Sequence, residues 1–221
     1  MLQAVLFDID GTLANTDPIH FQIWQQLLQD YGLQIDRPFY RKHLSGRTNA
    51  AIAQDLLPQL SIAEGDRLGI AKEERFREFA QDQLEPMPGL LRLIDWLKLQ
   101  DWKLAVVSNA PRLNAEFILQ TLKLEKTFPM VIIAEDLPVG KPDPLPYQEA
   151  LRRLDLAAEM AVVFEDSPSG IRSAVAAGIT TIGVASTHPH STLYDLGSTL
   201  VIDDFTDERL LKMGFFSSYT Q

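Results

Sequence analysis

Two aspartates separated by one residue, Asp8 and Asp10, follow an apolar run and precede a glycine and a threonine (Asp8-Ile9-Asp10-Gly11-Thr12). A carboxylate nucleophile beside a second acid is what phosphoryl transfer through an aspartyl-phosphate requires. Two such acids are costly side by side unless a divalent cation offsets their charge. Read alone, the segment serves equally as an acidic loop that caps a helix. Three further segments could carry chemistry. Ser108-Asn109-Ala110 ends another apolar run, and its hydroxyl and main-chain N–H groups suit an anion; a plain helix N-cap explains it as well. Gly140-Lys141-Pro142-Asp143-Pro144 places a lysine before a helix, where it would neutralise a transferring phosphoryl group, or simply be solvated. Phe164-Glu165-Asp166-Ser167-Pro168-Ser169-Gly170 runs an apolar stretch into paired acids. Asp166 is placed there to complete an oxygen-rich site with Asp8, unless it or Ser167 only caps a helix.

These segments need a scaffold that gathers them. Short apolar runs at 3–8, 104–108, 131–134, 161–165, 180–184 and 200–203 read as buried strands. Helical stripes lie between them: Leu90, Leu91, Ile94 and Leu97 after Pro88; Phe117, Ile118, Thr121 and Leu122; Tyr147, Ala150, Leu151 and Leu154; and Ile171, Ala174, Val175 and Gly178. Strand and helix in alternation predict an α/β fold with a parallel sheet covered on both faces. In such a sheet ligands bind beyond the carboxyl ends of the strands, where all four segments fall. Residues 20–84 break the rhythm. Helical patterns at 20–31, 50–57 and 64–83 and no convincing strand predict an all-helical insertion, so the domains are expected at 1–15 with 88–221 and at 16–87.

Composition narrows the function classes. The 221 residues are 46% hydrophobic and 23% charged, as in an ordinary globular protein. There is no cysteine, so disulfides, thiolate metal sites and cysteine nucleophiles are excluded. A net charge of −10 and the lack of a Lys/Arg stripe argue against a nucleic-acid partner. No apolar run reaches membrane-spanning length. The N-terminus shows no basic stretch before an apolar run. A cytoplasmic location is therefore the expectation, and a monomer the default.

The four segments, in order along one chain, resemble the four motifs of the haloacid dehalogenase superfamily. The helical insertion and Asn15-Thr16-Asp17-Pro18-Ile19-His20 resemble the branch that holds beta-phosphoglucomutase and the small sugar-phosphate phosphatases. The resemblance implies a Rossmann-like core with a four-helix cap and a small phosphorylated metabolite as substrate. It implies Asp8 as nucleophile and Asp10 as acid/base. It implies Mg2+ held by Asp8, the Asp10 carbonyl and Asp166, with Glu165 a direct or water-mediated support. Ser108 and Asn109 would hold phosphoryl oxygens, and Lys141 would screen Asp8 from the phosphate. His20 would help to position Asp10, and Arg47 would reach substrate from the cap. Some positions depart from the pattern. In the cap, Leu44-Ser45-Gly46-Arg47-Thr48 lacks the mutase's lysine before the glycine, which favours a phosphatase over a phosphomutase. Thr12 stands where the mutase has valine, and Leu145 where an aspartate is common. A receiver-type signalling module also gathers acids and a lysine at strand ends, but it has no helical insertion after the first strand. His43, His188 and His190 are expected on the surface, Trp24 and Tyr31 in the core, Trp96 and Trp102 in packing, and the charges at 73–78 on a solvated helix face.

Overall fold

The computed structural model describes residues 2–45 and 47–213. Gly46 of the cap segment and the aromatic tail with Phe215 and Phe216 lie outside them. The chain divides into two compact units, Met1–Asn15 with Glu85–Gln221, and Thr16–Leu84. The return crossing falls at 84/85 rather than 87/88. Pro86 is bridged to Ala14, and the Met87 N–H donates to the Leu13 carbonyl at 2.8 Å, which ties both residues to the first unit.

The first unit is built on six strands: β1 (Ala4–Phe7), β2 (Lys103–Ser108), β3 (Met130–Ile133), β4 (Ala161–Glu165), β5 (Thr180–Val184) and β6 (Leu200–Ile202). All pair in parallel in the order β3-β2-β1-β4-β5-β6. The strands are buried on both faces, which is why they read as continuous apolar runs. Leu6, Val107 and Val163 face one layer, with Tyr147, Ala150 and Ala174. On β1 and β4 the alternate residues Phe7 and Phe164 stack at 5.3 Å, and Phe205 meets Phe164 edge-on at 5.0 Å. This alternation decides where the acids point. Leu6 pairs with Val163 and Phe7 with Phe164, so Asp8 and Glu165 are the next pair along and keep the parity of Leu6 and Val163.

The second unit holds α1 (Asp17–Gln29), α2 (Arg37–His43), α3 (Asn49–Leu56) and α4 (Ile62–Ala80). Ile23, Trp24, Leu27 and Leu28 bury one face of α1, whereas Tyr31, expected in the core, is 40% exposed just past its end. α2 is too short to show a stripe in the sequence. Its signal was local: the Asp36 carboxylate accepts from the Phe39 N–H at 2.8 Å, and Pro38 occupies the first turn. A capping box between Ser61 and Glu64 opens α4. The core unit adds α5 (Leu90–Leu99), α6 (Arg112–Thr121), α7 (Leu145–Leu154), α8 (Pro168–Ala176), α9 (His190–Asp195) and α10 (Arg209–Lys212). Pro88 is not in the first turn of α5, because Gly89, with φ +78°, is its N-cap. No helix among the described residues is long and apolar enough to cross a membrane.

Candidate active site

The carboxyl edges of β2, β1 and β4 lie side by side, and their extensions carry the predicted groups. Asp8 follows β1, Ser108 ends β2, Glu165 ends β4 and Asp166 follows it. Carboxylate oxygens of Asp8, Glu165 and Asp166 all lie within 4.8 Å of one another, and all three residues are buried. Asp10 is half-buried at the turn after β1.

Lys141 is the cation of this group. Its Nζ donates to Asp8 Oδ1 at 2.6 Å, to Glu165 Oε1 at 2.5 Å and to the Val107 carbonyl at 2.7 Å. The lysine sits before a cis Lys141–Pro142 peptide. Asn109 grips its main chain from both sides: Nδ2 donates to the Lys141 carbonyl at 3.0 Å, and Oδ1 accepts from its N–H at 2.9 Å. The side chain expected to hold phosphoryl oxygens is thus committed to locating Lys141. Ser108 is buried, and its Oγ accepts from the Ala110 N–H at 3.0 Å.

Glu165 is fully subscribed. Oε1 accepts from Lys141 and from the Tyr147 hydroxyl at 3.0 Å, while Oε2 accepts from the N–H groups of Asp166 and Ser167 and the Ser167 hydroxyl. Tyr147 reads in sequence only as a member of an apolar stripe, yet its ring also lies 5.1 Å from the lysine ammonium. Nothing in a 3.6-residue period separates a buried tyrosine that packs from one that aims its hydroxyl at a carboxylate. Thr187, equally unremarked in sequence, donates its hydroxyl to Asp166.

Two glycines make room for these acids. A Cβ on Gly170 would overlap the Glu165 carboxylate, and one on Gly11 would overlap that of Asp166. Gly11 also has φ +77°, which disfavours any other residue. Gly170→Ala is therefore expected to destabilise the fold by about 1–3 kcal/mol and to displace Glu165, as measured by denaturant unfolding. Thr12 presents the opposite case. Its hydroxyl is fully buried with no hydrogen-bond partner among the described residues. Thr12→Val should be neutral or stabilising by about 1 kcal/mol, and a loss of stability would show that the hydroxyl is partnered in solution.

The charge balance is uneven. Burial lifts the Asp8 carboxyl well above its usual range; Lys141 opposes this and Glu165 and Asp10 reinforce it. Burial, Asp8 and Glu165 lift Asp166 in the same way, against the Thr187 hydrogen bond. Burial would lower Lys141, but Asp8 and Glu165 outweigh it and hold the lysine charged far above neutrality. Three buried carboxyls gather around one ammonium, more acid than the lysine alone offsets. Hard oxygen donors around uncompensated negative charge fit a hard divalent cation, and with Glu165 occupied by protein donors, Asp8 and Asp166 are the side chains free to take it.

The second unit gathers a separate polar cluster. Lys72 is buried, with Nζ 2.9 Å from His20 Nδ1 and 2.9 Å from Glu73 Oε1, and Asn49 Nδ2 donates to the same oxygen at 2.6 Å. The His20 ring stacks on Phe76 at 4.3 Å. Glu73 is therefore not on a solvated face. Burial would raise its carboxyl, but Lys72, His20 and Asn49 hold it below the usual range. Lys72 itself was missed, because a lysine among the charges of α4 carries no mark of burial. Arg47 is engaged by its own unit: its guanidinium donates to the His43 carbonyl at 2.9 Å and to Asp55 at 2.5 Å. Those bonds give no support to a substrate contact. His43 stacks on Phe39 and His190 pairs with Asp203, while the half-buried His188 meets the Thr187 hydroxyl at 2.8 Å.

Known proteins resemble this chain in sequence and fold. A "Phosphorylated carbohydrates phosphatase" of Thermotoga maritima is 32% identical over 180 residues, which cover 80% of this chain and 82% of that protein. The "Beta-phosphoglucomutase" of Bacillus subtilis is 29% identical over 218 residues, covering 93% of this chain and 91% of that protein. The crystal structure of CbbY from Rhodobacter sphaeroides in complex with phosphate superposes with a TM-score of 0.80 at 29% identity, covering 94% of this chain and 96% of that one. The family model "Haloacid dehalogenase-like hydrolase" matches residues 5–184, which span Asp8 through Asp166, and the chain belongs to that family of enzymes.

Proposed function

We propose that the chain is a Mg2+-dependent phosphatase of small phosphomonoesters, a sugar phosphate or related metabolite, acting through an aspartyl-phosphate on Asp8. The observation that carries this reading is the Lys141 ammonium held between Asp8 and Glu165 in a buried carboxylate cluster, with Asp10 two residues beyond the nucleophile. The two phosphatase and mutase relatives act on phosphorylated sugars by name, which supports the substrate class.

In this reading Asp8 attacks phosphorus and displaces the leaving oxygen. Asp10, half-buried at the turn, gives that oxygen a proton and then takes one from the water that hydrolyses the intermediate. Lys141 offsets charge on the nucleophile and on the transferring group, and Asn109 fixes where the lysine stands. Ser108 and main-chain N–H groups of its loop hold phosphoryl oxygens. Mg2+, held by Asp8, Asp166 and the Asp10 carbonyl, would supply further neutralisation of the phosphoryl oxygens. The helical insertion is assigned the part of a cap that selects substrate. Asp10→Asn should slow both chemical steps, by about 10²–10⁴-fold.

The test is phosphate release with Mg2+ from sugar phosphates, phosphoglycolate, nucleoside monophosphates and p-nitrophenyl phosphate. A glucose 1-phosphate to glucose 6-phosphate assay runs beside it. Many-turnover release that stops on adding a chelator is the expected result. The phosphomutase is the second reading, favoured by the Bacillus relative. Conversion of glucose 1-phosphate with little release would establish it instead.

A further inference from the structure

At the other end of the sheet lies a pocket of about 550 Å³ lined by Lys98, Lys103, Lys126 and Arg153, together with Trp102 and Thr127. Lys103 opens β2 and Ser108 closes it, so the pocket sits about 17 Å from the phosphate-loop serine at the strand rise of extended chain. Acids outnumber bases 30 to 20 in the chain, yet every charged residue lining this pocket is basic.

Local structure accounts for part of this. Lys103 Nζ donates to the Leu154 carbonyl at 2.7 Å, and Lys98 Nζ to the Thr127 hydroxyl at 3.2 Å. Lys98 and Arg153 stand in the last turns of α5 and α7, where cations favour the helix dipole. Glu149 pairs with Arg153 at 2.6 Å and offsets some of its charge. Lys126 has none of these reasons; it is exposed and makes no ion pair among the described residues. Cations gathered around one concavity repel each other, and an anion with several charges relieves that repulsion. Trp102 is half-buried and adds an aromatic wall. The volume falls within the range of small-molecule sites.

We infer that this pocket binds a small molecule carrying more than one phosphate group, at a site separate from the catalytic carboxylates. A concavity with four cations suits a compact polyanion, whereas a nucleic acid needs a longer basic track than a chain of net charge −10 offers.

The test titrates inorganic tripolyphosphate into the full-length protein in chelator, followed by calorimetry and tryptophan fluorescence. Saturable binding that weakens with added KCl is expected. The double variant Lys98→Glu with Lys126→Glu should raise the dissociation constant at least about tenfold. Lys126→Gln alone, which disturbs no described ion pair, should raise it about threefold or more, and it keeps the test valid if the double variant unfolds. Both variants should release phosphate from the best substrate at the wild-type rate. Unchanged affinity in both variants would place the anion elsewhere, and the absence of saturable binding would remove the site. A thymidine oligomer that displaces tripolyphosphate at equal or lower concentration would make the surface a nucleic-acid contact. Each of these results overturns the inference.

Discussion

Asp8→Asn is expected to reduce turnover by on the order of 10⁴-fold or more while leaving the fold within about 1 kcal/mol of wild type. The two effects separate because Asp8 is costly to the folded state. Burial, with Glu165 and Asp10, raises its carboxyl, and only Lys141 favours its ionised form. An amide in its place removes repulsion from Glu165 and Asp10, and Lys141 retains Glu165 and the Val107 carbonyl. On the proposed mechanism the nucleophile is lost, and Glu165 does not replace it, since protein donors bind both of its oxygens. Steady-state phosphate release and urea unfolding on one preparation measure both quantities. Normal turnover in the variant would remove Asp8 from the mechanism.

Lys141→Met is expected to damage both properties. It leaves Asp8, Glu165 and Asp166 buried without their cation, and breaking a buried pair from one side costs about 3–5 kcal/mol. Loss of an aimed charge at the transferring group should lower turnover by about 10²–10³-fold. The stability loss should depend on pH with a definite sign. Asp8 and Asp166 have folded-state values raised above the ordinary 3.8, so the folded state binds their protons more tightly than the unfolded chain does. Their ionisation costs stability as pH rises from about 3.8 through the raised folded values, and protonation restores it as pH falls through the same window. The deficit of Lys141→Met relative to wild type should therefore be largest near neutral pH and shrink toward acid. Lys141 itself is raised above 10.5, so its own deprotonation removes its contribution only above that pH, and toward acid the contribution falls only as its carboxylate partners take up protons. Denaturant unfolding at neutral and mildly acidic pH measures the difference, and a deficit that grows toward acid would contradict this electrostatic account. Adding Mg2+ should recover part of the loss, since a bound cation stabilises only the state that holds it.

The sheet was legible in the sequence because its strands are buried on both faces and leave unbroken apolar runs. The acids at their ends were legible because the four segments, in order along the chain, resemble the four motifs of the haloacid dehalogenase superfamily. What the sequence hid was partnership. Tyr147 and Lys72 look like a stripe member and a surface cation, since both kinds of burial depend on what arrives from distant segments: Glu165 in one case, His20 and Asn49 in the other. Asn109 was read as a phosphate-loop residue, and its side chain serves Lys141, whose loop lies 32 residues away in sequence. Arg47 looked available only because Asp55, eight residues on, was not recognised as its partner. The missed α2 shows a different limit. Seven residues are too few for a stripe, and a cap and a proline were the only signals.

Rapid acid quenching during turnover shows whether Asp8 carries the phosphoryl group. Protein quenched with the best substrate of the panel and Mg2+, then digested for peptide mass analysis, should carry a phosphoryl increment on Asp8. The increment should appear at the rate of the first turnover and vanish when substrate is exhausted. Phosphate released in a single turnover with no modified residue, or with the increment on a side chain other than Asp8, would contradict the account.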